Sequence, residues 1–139
     1  AEKQAEPMRM EPAVMDLLRD FRDELQARGY AVCLNLSWSP CFVQINREYM
    51  HRILENIASN IVKYSKPVDE IRVDSIDAGG YSGFSVLNVC TPEDEPETVI
   101  ESNGIGVESI RTMMNRMHGI CSVEQTESVY MITLMFPKC

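Results

Sequence analysis

Three stretches of this chain put apolar side chains on one side of a helical wheel only, and each such stripe needs a surface to cover it. From Pro12 to about Arg28 the stripe is Val14, Leu17, Leu18, Phe21 and Leu25. Pro12 suits a first helical turn and Gly29 suits the stop. From about Arg47 to Tyr64 it is Ile53, Leu54, Ile57, Ala58 and Ile61, with Pro67 shortly beyond the end. From about Val107 to Met117 it is Val107, Ile110, Met113, Met114 and Met117.

Strands fill the intervals. Ala31–Leu36 alternates, Ser37–Pro40 turns, and Phe42–Ile45 forms a second short strand. Ile71–Ile76 and Gly83–Val89 flank Asp77-Ala-Gly-Gly-Tyr, which has hairpin chemistry. Ile120–Gln125 and Val129–Phe136 close the chain, and Met8–Met10 is a candidate edge strand. Strands that arrive mostly as antiparallel pairs, with three helices needing one sheet face, predict an α+β fold. Its form is a two-layer α/β sandwich with a mixed, mostly antiparallel sheet, not a parallel doubly wound one. No GxGxxG or Walker A pattern is present, which agrees. Residues 1–11 are polar and aperiodic and read as a linker or frayed end, leaving 12–139 as one domain. Cys90–Asn103 holds Pro92, Pro96, Glu93, Asp94, Glu95, Glu97 and Glu101, and reads as a loop.

Composition narrows the function. A formal charge of -8 repels a phosphate backbone, so nucleic acid is not an expected partner. The same charge repels a free nucleotide at long range, so a nucleotide site would need local donors or a metal. The five cysteines are scattered singly, with no metal-ligand spacing, and read as small apolar thiols. No apolar run approaches the roughly 20 residues that span a bilayer, so no direct membrane contact is expected.

Two stretches carry chemistry. Asn56, Asn60 and Lys63 stand at steps of four and three, so two carboxamides and an ammonium share one helix face beside the apolar stripe. Asn is a poor helix-interior residue, and two on one face ask for a reason; a solvated polar face is the alternative. Asn103-Gly-Ile-Gly-Val-Glu-Ser enters the third helix. Glycines at a helix start permit close approach of a ligand, and free N–H groups there favour a phosphate. A plain loop-to-helix joint reads the same way.

Taken together the two stretches are more specific. Residues 50–65 (MHRILENIASNIVKYS) resemble the N-box of sensor histidine kinases, with Asn56, Asn60, Lys63 and Tyr64 in register. Residues 104–119 (GIGVESIRTMMNRMHG) resemble the later glycine box and its helix, with His118 where a glycine is common. The closing Phe136-Pro137 also matches, so the resemblance covers about residues 8–138. It implies the ATP-binding sandwich called GHKL or Bergerat. By the same resemblance Asn60 holds Mg²⁺, Asn56 lies beside the phosphates in the catalytic centre, and Lys63 offsets their charge. Tyr64 lines the nucleotide pocket, and Gly104 and Gly106 turn N–H groups to the phosphates. The cofactors implied are ATP and Mg²⁺.

The chain also departs from the family. An Asp-x-Gly-x-Gly box is usual after the hairpin's second strand, its Asp accepting from the adenine amino group. Here the inward alternation Phe84, Val86 leads to Asn88, which accepts without charge, and Val89-Cys-Thr-Pro replaces the glycines. An Asn in this box looks similar to the peptide-sensing branch of the family. Neither His51 nor His118 lies in a phosphoacceptor setting; His118 ends a helix and reads as structural, and His51 as exposed. The resemblance therefore implies the ATP-binding fragment of a histidine protein kinase, inactive alone. The phosphoacceptor histidine and dimerisation domain would precede residue 1, and a response regulator would be reached through the parent. The parent would be membrane-anchored with this domain in the cytoplasm. The alternative is a degenerate domain that binds nucleotide weakly or not at all and serves as a signalling module.

Overall fold

The structure is a computed structural model and describes residues 5–66, 69–89, 97–126 and 128–139. The chain runs β1 (Glu6–Arg9), α1 (Met10–Ala27), β2 (Ala31–Asn35), β3 (Phe42–Ile45), α2 (Arg47–Tyr64), β4 (Glu70–Ala78), β5 (Tyr81–Val89), α3 (Glu97–Arg116), β6 (Ile120–Gln125) and β7 (Val129–Pro137). Five strands form one sheet in the order β2-β4-β5-β7-β6. Only β2 and β4 pair in parallel; the other neighbours are antiparallel. β1 and β3 form a small antiparallel sheet, tied to the end of the main one through Val43 and Lys138. The architecture is the α+β sandwich expected from the sequence.

The helices lie on one face of the sheet. Ile71, Val73, Phe84, Val86, Ile132, Leu134 and Phe136 alternate inward to meet them, and all are buried. The helical stripes complete the core: Val14, Leu18, Phe21 and Leu25 from α1, Ile53, Leu54, Ile57, Ala58 and Ile61 from α2, and Ile110, Met113, Met114 and Met117 from α3. Removing this apolar surface from water, at about 25 cal/mol per Å², is what drives the layers together. On the other face Arg72 and Asp74 are solvent-facing, and Trp38 crosses to donate its indole N–H to Gly83 O at 2.7 Å.

Local signals set the helix ends. Asn46 caps α2, its side chain accepting from Tyr49 N at 3.1 Å. α1 stops where Gly29 takes φ +97°, while Tyr30 N returns to Leu25 O. α3 stops at His118, a non-glycine residue at φ +60°, with Gly119 N bonded to Met114 O.

Two boundaries differ from the sequence expectation. The packed region begins before Pro12: β1 pairs with β3, and Met10 is 1% exposed. Pro12 is the third residue of α1, not its first. Residues 6–11 look polar because a four-residue edge strand shows too few side chains to reveal a period. α3 begins at Glu97 rather than near Val107. The stretch Glu97–Asn103, expected as loop, is therefore helical, while 90–96 lies outside the described residues. Proline and acidic residues also mark helix starts, and Pro96 directly precedes Glu97 in the sequence.

Candidate functional site

The polar face of α2 follows from its apolar one. With Ile53, Ile57 and Ile61 turned to the core, Asn56 and Asn60 fall at the margin of the buried stripe, and both are half-buried. Tyr64 is half-buried and Lys63 exposed. Asn56 faces α3, its Nδ2 lying 3.4 Å from Ser109 Oγ, a long contact that shows which way the side chain points.

Asn88 is the polar end of the inward run Phe84, Val86, Asn88 on β5, and it is 5% exposed. Its Nδ2 donates to Ser65 Oγ. Ser65 directly follows Tyr64, so the strand carboxamide and the polar face of α2 meet at the end of α2. The structure thus brings Asn88 against Ser65, the residue that follows α2, with Tyr64, Asn60 and Asn56 on the preceding turns of that helix.

The glycines stand differently from the expectation. Gly104 and Gly106 lie within α3, not at its start. Inside a helix a backbone N–H ordinarily bonds the carbonyl four residues back, which leaves it nothing to offer a phosphate. Gly106 precedes Ser109 by three residues, about one turn, so the glycine segment continues α3 onward from its contact with Asn56. Two glycines in a helix interior cost about 1 kcal/mol each relative to alanine.

Sequence reasoning missed the group beneath Asn88. Ser65, Asp69 and Tyr30 are all buried. The Tyr30 hydroxyl donates to Ser65 O at 2.7 Å and to Ile61 O at 3.3 Å. Burial first, and then the nearby Asp69 carboxylate, push the Tyr30 phenol above its ordinary value. Asp69 Oδ2 accepts from Lys66 N at 2.9 Å. The only sequence signal was polarity just past a helix end, which turns and caps produce equally. His51 and His118 are both exposed; His51 Nε2 lies 3.4 Å from Glu55 Oε2 on its own helix.

The side chains that could hold a metal here are the carboxamides of Asn56 and Asn60. Carboxamide oxygens are neutral hard ligands of the kind Mg²⁺ takes alongside phosphate and water. Among the described residues no group of three or more His, Cys, Asp or Glu could hold a metal ion. Among the described residues no helix is long and apolar enough to cross a membrane.

The architecture recurs in solved structures. The chain superposes on the catalytic domain of histidine kinase ThkA with a TM-score of 0.74, over 98% of each chain at 17% identity. The mycobacterial sensor histidine kinase MprB matches at 0.70 and 15% identity, over 96% of this chain and 97% of that one. Full-length ShkA in complex with AMPPNP matches at 0.71 and 16% identity, over 100% of this chain and 32% of that one. These likenesses define the fold as that of histidine-kinase catalytic domains.

Sequence kinship points the same way. The chain is 28% identical over 135 residues to the sensor histidine kinase YrkQ of Bacillus subtilis (strain 168), and 26% identical over 120 residues to YcbM of the same organism. The alignments cover 97% and 75% of this chain, but 31% and 39% of those relatives. No family model matches the chain. In sequence the chain is similar to sensor histidine kinases, and its fold is that of histidine-kinase catalytic domains.

Proposed function

We propose that this chain binds Mg–ATP between the polar face of α2 and α3, and presents the γ-phosphate to a histidine on a dimerisation domain outside the chain. The observation that carries the reading is the contact of the buried Asn88 with Ser65, which sets the polar end of β5 against the end of the helix that bears Asn56, Asn60 and Tyr64. Asn88 reads the base, because it is the buried polar side chain at the end of an otherwise apolar inward run on β5. Tyr64 packs beside the nucleotide, and Lys63 offsets phosphate charge. Asn60 offers its oxygen to Mg²⁺ and Asn56 lies beside the phosphates. The bound nucleotide and cation supply the transferable phosphoryl group and neutralise its charge; the chain supplies position. Full-length ShkA, part of which shares this fold, is in complex with AMPPNP, which supports a nucleotide here.

The reaction moves the γ-phosphoryl group from ATP to an imidazole nitrogen and releases ADP. Its acceptor, a response regulator downstream and a membrane-anchored parent with this domain in the cytoplasm belong to the same proposal. Calorimetric titration of the chain with a non-hydrolysable ATP analogue, with and without Mg²⁺, tests it. Saturable binding that strengthens with Mg²⁺ is expected, and Asn60→Ala should abolish the Mg²⁺-dependent part while the fold persists. Absence of both heat and thermal shift at millimolar nucleotide would refute it.

One observation favours the second reading, a signalling module with weak or no nucleotide binding. Gly104 and Gly106 sit inside α3, where their N–H groups do not face a phosphate. The same titration decides between the two.

A further inference from the structure

β2 ends the main sheet, so one side of it has no strand beside it among the described residues. Such an edge presents backbone donors and acceptors that an extended chain can pair with, and proteins ordinarily guard it with charge or proline. The other outer strands of this molecule are guarded in that way: β1 carries Glu6, Pro7 and Arg9, and β6 carries Glu124. β2 reads Ala-Val-Cys-Leu-Asn and lies within Gly29–Asn46, eighteen residues without a charged side chain. We propose that the β2 edge is a self-association surface: two copies of this chain add their β2 strands antiparallel about a two-fold axis at Cys33, which makes their sheets continuous.

Pattern and charge together select a second copy as the occupant. An antiparallel copy centred on Cys33 sets Val32 opposite Leu34 of the copy and Ala31 opposite its Asn35. Val32 and Leu34 are half-buried against the core, and the pairing covers their open sides with each other. On the outer face Ala31, Cys33 and Asn35 are exposed and small, so they face their counterparts without a clash. The net charge of -8 opposes the approach of two copies, and most strongly where like charges would meet. At β2 none meet. The nearest charged side chains of the sheet lie one strand in, where Glu70, Arg72 and Asp74 of β4 stand level with Ala31, Cys33 and Asn35. In the joined sheet β4 and its copy are three strand spacings apart, about 14 Å, beyond the roughly 8 Å screening length at physiological salt. Arg72 and Asp74 also offset each other, with Nη2 3.7 Å from Oδ1. A single short strand pair buries little area, so the association is weak and reversible.

Sedimentation velocity of the whole chain under reductant, from about 10 µM to about 1 mM, tests the proposal. The mean mass should rise from monomer toward dimer. Raising salt from about 0.05 to about 0.5 M should strengthen association, since screening relieves the repulsion between acidic copies. Cys33→Lys sets two ammonium groups face to face at the axis and should weaken it at least about tenfold, whereas Cys33→Ser should change it less than about twofold. Ser122→Lys, exposed on the opposite edge strand β6, should leave it unchanged. Should Cys33→Lys not melt cooperatively, Ala31→Lys replaces it. The register has its own readout. Facing residues of an antiparallel pair have Cα atoms about 4.5–5.5 Å apart, inside the range of about 4.4–6.8 Å that a disulfide spans. With reductant removed, diamide should take two electrons and two protons from a pair of Cys33 thiols, becoming the hydrazine, and peptide mapping should find the Cys33–Cys33 link. A chain monomeric at every concentration, a dimer that Ser122→Lys weakens as much as Cys33→Lys, or oxidised dimers joined only through other cysteines overturns the proposal. None of these outcomes bears on nucleotide binding, which the calorimetric titration reads separately.

Discussion

Tyr30→Phe isolates the bond that ties the start of β2 to the end of α2. The substitution keeps the buried ring and removes one hydroxyl, which donates to Ser65 O at 2.7 Å and more weakly to Ile61 O at 3.3 Å. Ile61 O keeps the Ser65 N–H at 2.8 Å, so the loss falls chiefly on the Ser65 carbonyl. Leaving one buried carbonyl without its donor costs about 1–2 kcal/mol. In a domain of this size that lowers Tm by about 3–8 °C. The variant's pH dependence adds a second, independent sign. Burial raises the Tyr30 phenol above the ordinary tyrosine value, so the folded state holds that proton more tightly than the unfolded one. Stability from Tyr30 is thus fully present below pH about 10 and lost as pH rises through the folded value. The gap between wild type and Tyr30→Phe should therefore be widest at neutral pH and shrink above pH about 10. Urea unfolding followed by far-ultraviolet circular dichroism, at pH 7 and at steps up to 11, measures both. Equal stability at pH 7, or a gap that widens in alkali, would refute the reasoning. The raised phenol of Tyr130 is common to both proteins and cancels in the difference.

Three further outcomes follow from particular sites. Gly83→Ala should cost at least about 3 kcal/mol or yield insoluble protein, because an added Cβ would stand 1.9 Å from Leu134 O and 2.8 Å from Met135 Cα across the β5–β7 pair; a soluble variant melting within a few degrees of wild type contradicts the packing described. Tyr130→Phe should hold or raise stability, by up to about 1 kcal/mol, since the Tyr130 hydroxyl is buried with no hydrogen-bond partner among the described residues; a lower urea midpoint would reveal a partner. His118→Gly should stabilise by about 0.5–1 kcal/mol, the relief of a left-handed side-chain position outweighing the added chain entropy, and thermal melting would show an upward shift.

The elements built from local period were legible in the sequence. α2 spans Arg47–Tyr64, β3 Phe42–Ile45 and β6 Ile120–Gln125, as the spacing predicts, and the five apolar residues expected of α3 are all buried. A stripe at helical spacing or an alternation of two reports its own secondary structure, because burial on one face is written into the order of residues. The same logic placed Asn88 on the inward side of β5 and Asn56 and Asn60 on one face of α2. The signal was weaker where it was short or double-edged: the edge strand expected at Met8–Met10 runs Glu6–Arg9, and residues 97–103, expected as loop, are helical.

Tertiary structure alone decided the rest. The parallel pairing of β2 with β4 joins residues separated by a whole helix and strand, and no local pattern encodes that choice. Only the register set by that pairing and by β5 carries Asn88 to the end of α2. Ser65 and Tyr30 lie 35 positions apart, and neither has a neighbour in sequence that announces their hydrogen bond. The chain thus determined by itself which residues are inward and which helix face is polar, since those are properties of one element at a time. Which inward residues touch, and so what the Asn88 amide meets, depended on contacts between elements, whose partners are fixed only when the layers close.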